Sequence, residues 1–552
     1  MATERSGLPV VSIPKSKVKE FFPGYEVTKV VDMLPYIGLD IEYADEKEIK
    51  VEYSPNRPDY SSYYGIARSL RGILNIEVGL PRVNITENLN NLIEVDDSVL
   101  SVRPFIVAAV AKRGILDSES ITQLLGMQDD LNNGLGRKKN KASIVFHDLS
   151  KVTFPLRYVG INRNVRFLPR GFGRTSIEEF LEKNEVRRKN EFLSTEKFPV
   201  LINSSEEIIS VASVSGSKYT KIDTKSKDLF VEVTGSNLPT VFDILAVIVI
   251  TLSDMKFNIE TVNVFNPVET ITCPNMQTKQ FQGIQVSYIN KVLGLKLTSE
   301  EIINCLKKSR LDGKAVNSAI DCIVPRYRTD IIGDIDLVED IGIGYGIFNL
   351  SPTIPPFSEP GRRSPKSVIF EKIRQTLIGM GLIENLNFNL TSRKVQYELM
   401  NLDNAYNNVI EVQGSKSSEH QIMRTSLLPS LLESLSHNIH EEYPQRLFEI
   451  GKIFSSSEFP YERWSLCGVV AHEDASYTEI KSIIQTLMTI GLGKKFRTLP
   501  SSHRAYLNGR SADLYAKDIK LGNLGEIHPS IIGNFKIRVP IASFEINLSN
   551  IL

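Results

Sequence analysis

The chain has 552 residues, with 65 Lys and Arg balanced by 65 Asp and Glu. That length exceeds what one hydrophobic core organises and predicts three or four domains. The zero formal charge argues against a chain that grips RNA by bulk electrostatics, leaving local patches or a partner for any such contact. Cys273, Cys305, Cys322 and Cys467 lack Cys-x-x-Cys spacing, so buried reduced thiols are expected. No leader-like or bilayer-spanning apolar run stands out, and a soluble cytoplasmic protein without membrane contact is expected.

Residues 1–92 read as a small α/β unit. Glu26–Leu34 suits a helix stopped by Pro35, and Ile49-Lys-Val-Glu-Tyr53 alternates as a strand. Asn56-Arg-Pro-Asp59 predicts a turn, with Asp59 as N-cap of a helix whose apolar residues follow the 3.6 period (Tyr63, Ile66, Ala67, Leu70). Arg57 and Asp59 are expected to pin this unit to its neighbours. Asn84–Asn91 is read as a linker.

Residues 93–266 contain strand-like runs at 106–111, 143–146, 229–233 and 259–264, with helices at Ser118–Leu125 and Val241–Ser253. This mixture predicts an α+β domain. Asn133-Gly-Leu-Gly-Arg-Lys-Lys-Asn-Lys141 is read as a flexible basic loop, either solvated or in contact with RNA. Glu232 and Thr234, two apart in a strand, share one face. Taken alone, that face could simply meet solvent.

Residues 267–349 read as a compact helix-and-strand unit. Thr298 and Glu301 have capping-box spacing. A second helix is expected to begin near Thr329, with Asp336, Glu339 and Asp340 on one face and Ile331, Ile332, Ile335, Val338 and Ile341 buried. The acidic cluster fits either a solvated face or a hard-cation site. Gly342-x-Gly-x-Gly346 follows this helix without a Lys-Ser/Thr, which favours a helix stop over a phosphate loop.

Residues 350–552 open with a Pro-rich linker (352–365) and a helix carrying Ile369, Ile373, Leu377 and Met380. Strands are expected at 408–412, 446–450, 465–470 and 542–546. Without a βαβ rhythm they predict an antiparallel sheet flanked by helices. His437 and His440 are i, i+3 but lack a third ligand, so no zinc site is expected.

Pro325-Arg-Tyr-Arg-Thr-Asp330, the Asp336-Leu-Val-Glu-Asp340 helix, Asn56-Arg-Pro-Asp59, Met423-Arg-Thr-Ser-Leu-Leu-Pro429 and Gly525-Glu-Ile-His-Pro529 together resemble the phenylalanine–tRNA ligase β-subunit family, archaeal and eukaryotic type. The resemblance implies a multidomain α+β chain. Its mixed α/β N-terminal domain (1–92) precedes an editing-like tRNA-binding domain (93–266). A small winged-helix-like magnesium domain (267–349) and a class II synthetase-like antiparallel domain (350–552) follow.

It further implies Mg2+ at Asp330, Asp336, Glu339 and Asp340. An α-subunit partner in an α2β2 heterotetramer would hold ATP and phenylalanine and act on tRNA(Phe). An editing pocket that hydrolyses mischarged Tyr-tRNA is implied at Glu232, Thr234 and His147. Activation chemistry is not expected here, since Leu447-Phe-Glu-Ile-Gly451 offers Glu449 without the paired Arg and no Gly-x-Gly-x-x-Arg follows. Ala212-Ser-Val-Ser-Gly216 stands where archaeal relatives tend to have Pro-Pro-Ile-Ile-Asn, an altered pocket wall. A standalone aminoacyl-tRNA-binding or editing protein is the alternative.

Overall fold

The computed structural model describes residues 8–183, 197–266, 269–355, 361–402, 409–415, 417–456 and 459–551. The chain divides into two compact units, Met1–Thr353 and Ile354–Leu552. Both are mixed α/β, and no described helix is long and apolar enough to cross a membrane.

The first unit begins with a three-stranded antiparallel sheet in which Glu48–Tyr53 lies between Val10–Pro14 and Leu39–Ala44. The alternation of Ile49, Val51 and Tyr53 puts all three into a core shared with helix Tyr63–Ile73, each such burial contributing about 1.5–3 kcal/mol for an aliphatic side chain. The helix expected over Glu26–Leu34 is shorter, Val27–Asp32, followed by a 3-10 turn at Pro35–Ile37.

Asp59 is not the N-cap of the next helix. Pro58–Ser61 forms a 3-10 turn, and the Ser62 hydroxyl accepts from the Gly65 N–H. The Asp59 carboxylate is instead engaged by Arg57 at 2.9 Å. Gly65 is required here because a Cβ would lie 1.7 Å from the Asp59 carbonyl oxygen.

Two sheets build the middle of the unit. One has the order Ile85–Thr86, Asn258–Glu260, Phe105–Lys112, Leu229–Gly235, Ala142–Asp148. The other runs Ser215–Gly216, Ile208–Val211, Lys197–Ile202, Leu156–Asn162, Leu92–Val95, Val262–Phe265, Thr270–Cys273. Helix Leu238–Asp254 is buried over most of its length against the first. The supposed linker Asn84–Asn91 is thus partly a strand, Ile85 pairing with Ile259. Its Asn88 and Asn91 amides donate to the Glu260 carboxylate. Polar composition suggested a loop, whereas the side-chain amides serve as cross-strand fasteners.

The last part of this unit sets helices Val286–Leu293, Ser299–Lys308 and Asp334–Tyr345 on a three-stranded sheet. The Thr298–Glu301 capping box forms. Helix Asp334–Tyr345 starts later than expected, after an irregular stretch from Pro325 to Gly333. Ile332 and Ile335 are exposed rather than buried, while Ile331, Val338 and Ile341 enter the core. Gly342 and Gly344 lie inside the helix and only Gly346 stops it, at φ 96°. At Gly344 a Cβ would come within 2.1 Å of the Cys305 carbonyl oxygen, so this glycine sets close helix packing.

The second unit is a seven-stranded sheet, antiparallel except at its Ile383–Glu384 edge. Alternation along Pro460–Ala471 sends Leu466 and Val470 to a core with helices Pro365–Gly379 and Tyr477–Thr486. Cys467, Val469 and Ala471 face a second core with Leu428–His437 and Pro529–Asn534. The strand expected over 408–412 is a single bridge, Glu411 with Ile422; position 408 lies outside the described residues. All four cysteines are free and buried.

Candidate functional site

Strand Leu229–Gly235 pairs antiparallel with Ala142–Asp148, setting Phe230 opposite His147, Glu232 opposite Val145 and Thr234 opposite Ser143. Directly opposed residues share a face, so one face carries His147, Glu232, Thr234 and Ser143 in a row. The same period of two sends Val231, Val233, Ile144 and Phe146 into the apolar core. The open question about this face is answered by burial: His147, Glu232 and Thr234 are each at most 1% exposed. The structure therefore brings all three expected residues together.

Burying that row without loss requires partners. His147 Nδ1 lies 2.7 Å from the Thr220 hydroxyl, but its Nε2 lies 3.7 Å from Glu232 Oε2, beyond hydrogen-bond distance, and both atoms are left buried without a hydrogen bond. Burial pulls the imidazole below its ordinary range against the opposing pull of Glu232. Thr234 is held by Arg103, whose Nε donates to its hydroxyl (3.1 Å) and Nη2 to its carbonyl (2.7 Å). Burial lowers the Arg103 guanidinium to about 10, which leaves it protonated at neutral pH. The Ala212–Gly216 segment closes over this row. The Ser213 N–H donates to the Ser143 hydroxyl at 3.1 Å, and a Cβ on Gly216 would press on Val145 at 2.7 Å and on the Arg170 guanidinium at 3.1 Å. Arg103 and Arg170 carried no periodicity or motif signal, since their partners lie far away in sequence.

A second polar cluster surrounds a cavity of about 180 Å³ whose lining includes Asn56, Arg57, Arg328, Asp330, Asp336, Glu339 and Asp340. Here the expected metal ligands meet a cation that the acidic spacing did not reveal. Arg328 donates to Asp330 from Nε (2.9 Å) and Nη2 (2.7 Å), and to Asp340 from Nη1 (3.3 Å) and Nη2 (2.6 Å). Burial works to raise the Asp330 carboxyl, but Arg328 and then Arg57 hold it below the ordinary carboxylate range. Asp336 is also engaged, its Oδ2 accepting from the N–H groups of Ile332 (2.8 Å) and Gly333 (2.9 Å) at the start of its own helix.

Among the described residues no group of three or more His, Cys, Asp or Glu side chains is placed to hold a metal ion. The four carboxylates therefore do not fit a preformed magnesium cage, because two neutralise Arg328 and a third caps a helix. Next to them, Asp59 pairs with Arg57 and lies 3.8 Å from Arg68, which in turn pairs with Asp254 and stacks 4.5 Å from the centre of the Tyr327 ring. Asp59 thus ties the N-terminal sheet to its neighbours through Arg68.

In the second unit Glu449 does have an arginine. Arg424, from the Met423-Arg-Thr-Ser segment, ion-pairs with it, and both side chains are at most 2% exposed. Gly451 makes the room, since a Cβ would meet the Arg424 guanidinium at 2.3 Å. Arg424 also donates to the Lys452 carbonyl at 2.9 Å, so its charge is turned inward, away from any phosphate.

Comparison with known proteins bears on both units. A model described as "Phenylalanyl tRNA synthetase beta chain CLM domain" matches residues 350–548, and one described as "tRNA synthetase B5 domain" matches 283–347. The phenylalanine–tRNA ligase beta subunit of Archaeoglobus fulgidus is 35% identical over 546 residues, covering 98% of both chains. This chain belongs to the phenylalanine–tRNA ligase beta-subunit family.

The Methanococcoides burtonii beta subunit is 33% identical over 98% of this chain and 100% of its own. An N-terminal fragment of the Pyrococcus horikoshii phenylalanyl-tRNA synthetase beta subunit shares 28% identity and a TM-score of 0.58, covering 61% of this chain and all of the fragment. As a family member, the chain is a subunit of a ligase that forms aminoacyl-tRNA. The B5 match spans the Arg328 cluster, and the CLM match spans the sheet that buries Arg424.

Proposed function

We propose that this chain is the non-activating half of a two-subunit enzyme, with ATP, phenylalanine and the magnesium of the activation step held by an α-subunit partner in an α2β2 heterotetramer acting on tRNA(Phe) in the cytoplasm. The observation that carries this is the buried Arg424–Glu449 pair. Activation needs cations free to clamp the phosphates of ATP, and Arg424 is neutralised inside the sheet. In this reading 350–552 is a class II synthetase-like scaffold and 267–349 a winged-helix-like element. Segments 1–92 and 93–266 are the N-terminal and editing-like domains.

For Asp330, Asp336, Glu339 and Asp340 the proposal is a structural role with Arg328 as counter-cation. A magnesium ion there would need donors from the partner. The buried row His147–Glu232–Thr234 supports a second role, hydrolysis of tyrosine wrongly joined to the tRNA. A pocket for phenylalanine discriminates weakly against one added hydroxyl, and a buried carboxylate such as Glu232 is an acceptor suited to a phenol. ATP–pyrophosphate exchange with phenylalanine tests the main reading. It should be absent with the purified chain and appear when the partner subunit is added; robust exchange by the chain alone would overturn it.

A further inference from the structure

The Asn133–Lys141 loop was expected to be flexible, yet its backbone is held in an unusual shape. Arg137, Lys138 and Lys139 are three successive non-glycine residues with φ of 47°, 54° and 67°. For L-residues this left-handed conformation crowds Cβ against the following carbonyl, and it is seldom kept over consecutive positions. Internal hydrogen bonds hold it: Lys138 N to Asn133 O (3.3 Å), Lys139 N to Asn132 O (3.0 Å) and Lys141 N to Gly136 O (2.8 Å). Gly136 is indispensable to the turn, as a Cβ would lie 2.4 Å from the Ala142 carbonyl oxygen.

The two sides of the loop do different things. On the inner side its carbonyls are bonded to residues packed around the buried row. Lys139 O accepts from the Ser213 hydroxyl (3.1 Å), Asn140 O from Arg103 Nη1 (3.3 Å) and Lys141 O from Ser236 N (3.1 Å). Arg103 is the residue that clasps Thr234. On the outer side Arg137 and Lys138 are exposed, and no ion pair joins Arg137 or Lys141 to a carboxylate among the described residues. Lys139 instead turns inward, half-buried, with Asp129 as its attracting charge.

From Asn133 to Lys141 the sequence has no carboxylate, within a chain of zero formal charge. Whatever phosphate contacts a formally neutral subunit makes itself, as distinct from those of its partner, must come from such local excesses. Strain maintained at an exposed site is a reason to look for function there.

We propose that this loop is a clamp for the phosphodiester backbone of single-stranded RNA, with Arg137 and Lys138 as the contacts. The clamp would fix the end of the strand beside the Glu232–Thr234 row. Arg137 brings a planar fork matched to phosphate oxygens, and Lys138 a point charge. The direction of the strand rests on the hydrolytic reading of that row; the phosphate contact does not.

The test replaces both contacts by residues that accept the left-handed conformation more readily, R137N/K138G. Binding of uncharged tRNA(Phe) by the assembled enzyme is measured by fluorescence anisotropy between 50 and 200 mM salt. Thermal stability and subunit assembly are followed in parallel. The double variant should be at least as heat-stable as the parent, assemble normally and bind tRNA on the order of tenfold more weakly near 0.1 M salt. The slope of log K against log salt should fall by about 1.4, roughly 0.7 for each lost single-strand contact.

An unchanged affinity and slope in a stable, assembled variant would show a merely solvated loop. Lost assembly with an unchanged salt slope would place the loop at a protein interface. Either result overturns the proposal. Binding is read without hydrolysis, so failure of the editing role would leave this measurement intact.

Discussion

Replacing Arg328 with Met keeps much of the side chain's length and removes the charge that neutralises two carboxylates. Arg328 is 3% exposed, Asp330 12% and Asp340 6%, so water cannot readily replace the guanidinium. Breaking a buried ion pair on one side typically costs about 3–5 kcal/mol. Each stranded carboxylate has its own ceiling, since it can escape its charge at pH 7 by taking a proton, at a cost of about 4 kcal/mol from an ordinary pKa near 4, and Arg57 still faces Asp330. The first unit spans Met1–Thr353, and with unfolding entropy near 2 cal/mol/K per residue this loss lowers its melting temperature by about 4–7 °C.

The two carboxylates differ in sign: burial holds Asp340 above the ordinary carboxylate range despite Arg328, so the stability that is lost on acidification of the parent comes from Asp330. Its folded pKa lies below the unfolded value. Its contribution is therefore complete above about pH 4 and fades as pH falls through the depressed folded value. Because the stranded carboxylates of R328M escape by taking protons, at a cost that falls from about 4 kcal/mol each at pH 7 toward zero near pH 4, differential scanning calorimetry of parent and R328M should show a large gap at pH 7 that shrinks by pH 4. A gap below about 1 kcal/mol at pH 7, or one of equal size at pH 4, would refute the argument that charge neutralisation holds this cluster.

Glu339→Gln should leave the melting temperature of the isolated chain indifferent to magnesium, as in the parent, because Arg328 and a helix start already occupy the other carboxylates; a magnesium-dependent stabilisation of the isolated parent that the variant lacks would restore the cage. Glu232→Ala in the assembled enzyme should reduce the preference for deacylating Tyr-tRNA over Phe-tRNA by about 10- to 150-fold, the worth of a hydrogen bond to a charged group at about 1.5–3 kcal/mol. Persistence of the full preference would mean other residues read the phenol. His147 has a folded pKa below its ordinary value, so the unfolded chain takes up a proton first and stability falls as pH drops below about 6.5, by at most about 1.4 kcal/mol per pH unit. Denaturant titrations from pH 7.5 to 5.5 should show a shallower loss for His147→Gln, and identical slopes would contradict this.

Much of the site was legible because it depends on short-range geometry. A separation of two places Glu232 and Thr234 on one strand face, and separations of three and four place Asp336, Glu339 and Asp340 on one helix face. The burial of the first face was not legible, because the segment that covers it, Ala212–Gly216, is held there by hydrogen bonds to residues some 70 positions away. Asp59 shows the same limit: its position ahead of a helix predicted a cap, but Arg57 takes its oxygens and Ser62 does the capping.

The sequence by itself determined the periodicities, the turns, the cluster of carboxylates and, through its motifs, the family. Only the tertiary structure decided what each charge faces. Arg328 draws Asp330 and Asp340 into an internal ion-pair network while a helix start takes Asp336, and the Arg424–Glu449 pair turns a potential phosphate clamp inward. A helix or strand pattern is fixed by neighbours a few residues apart. The partner of a buried charge is chosen by which distant segments pack together, and a desolvated charge stays ionised only where that packing supplies an opposite one.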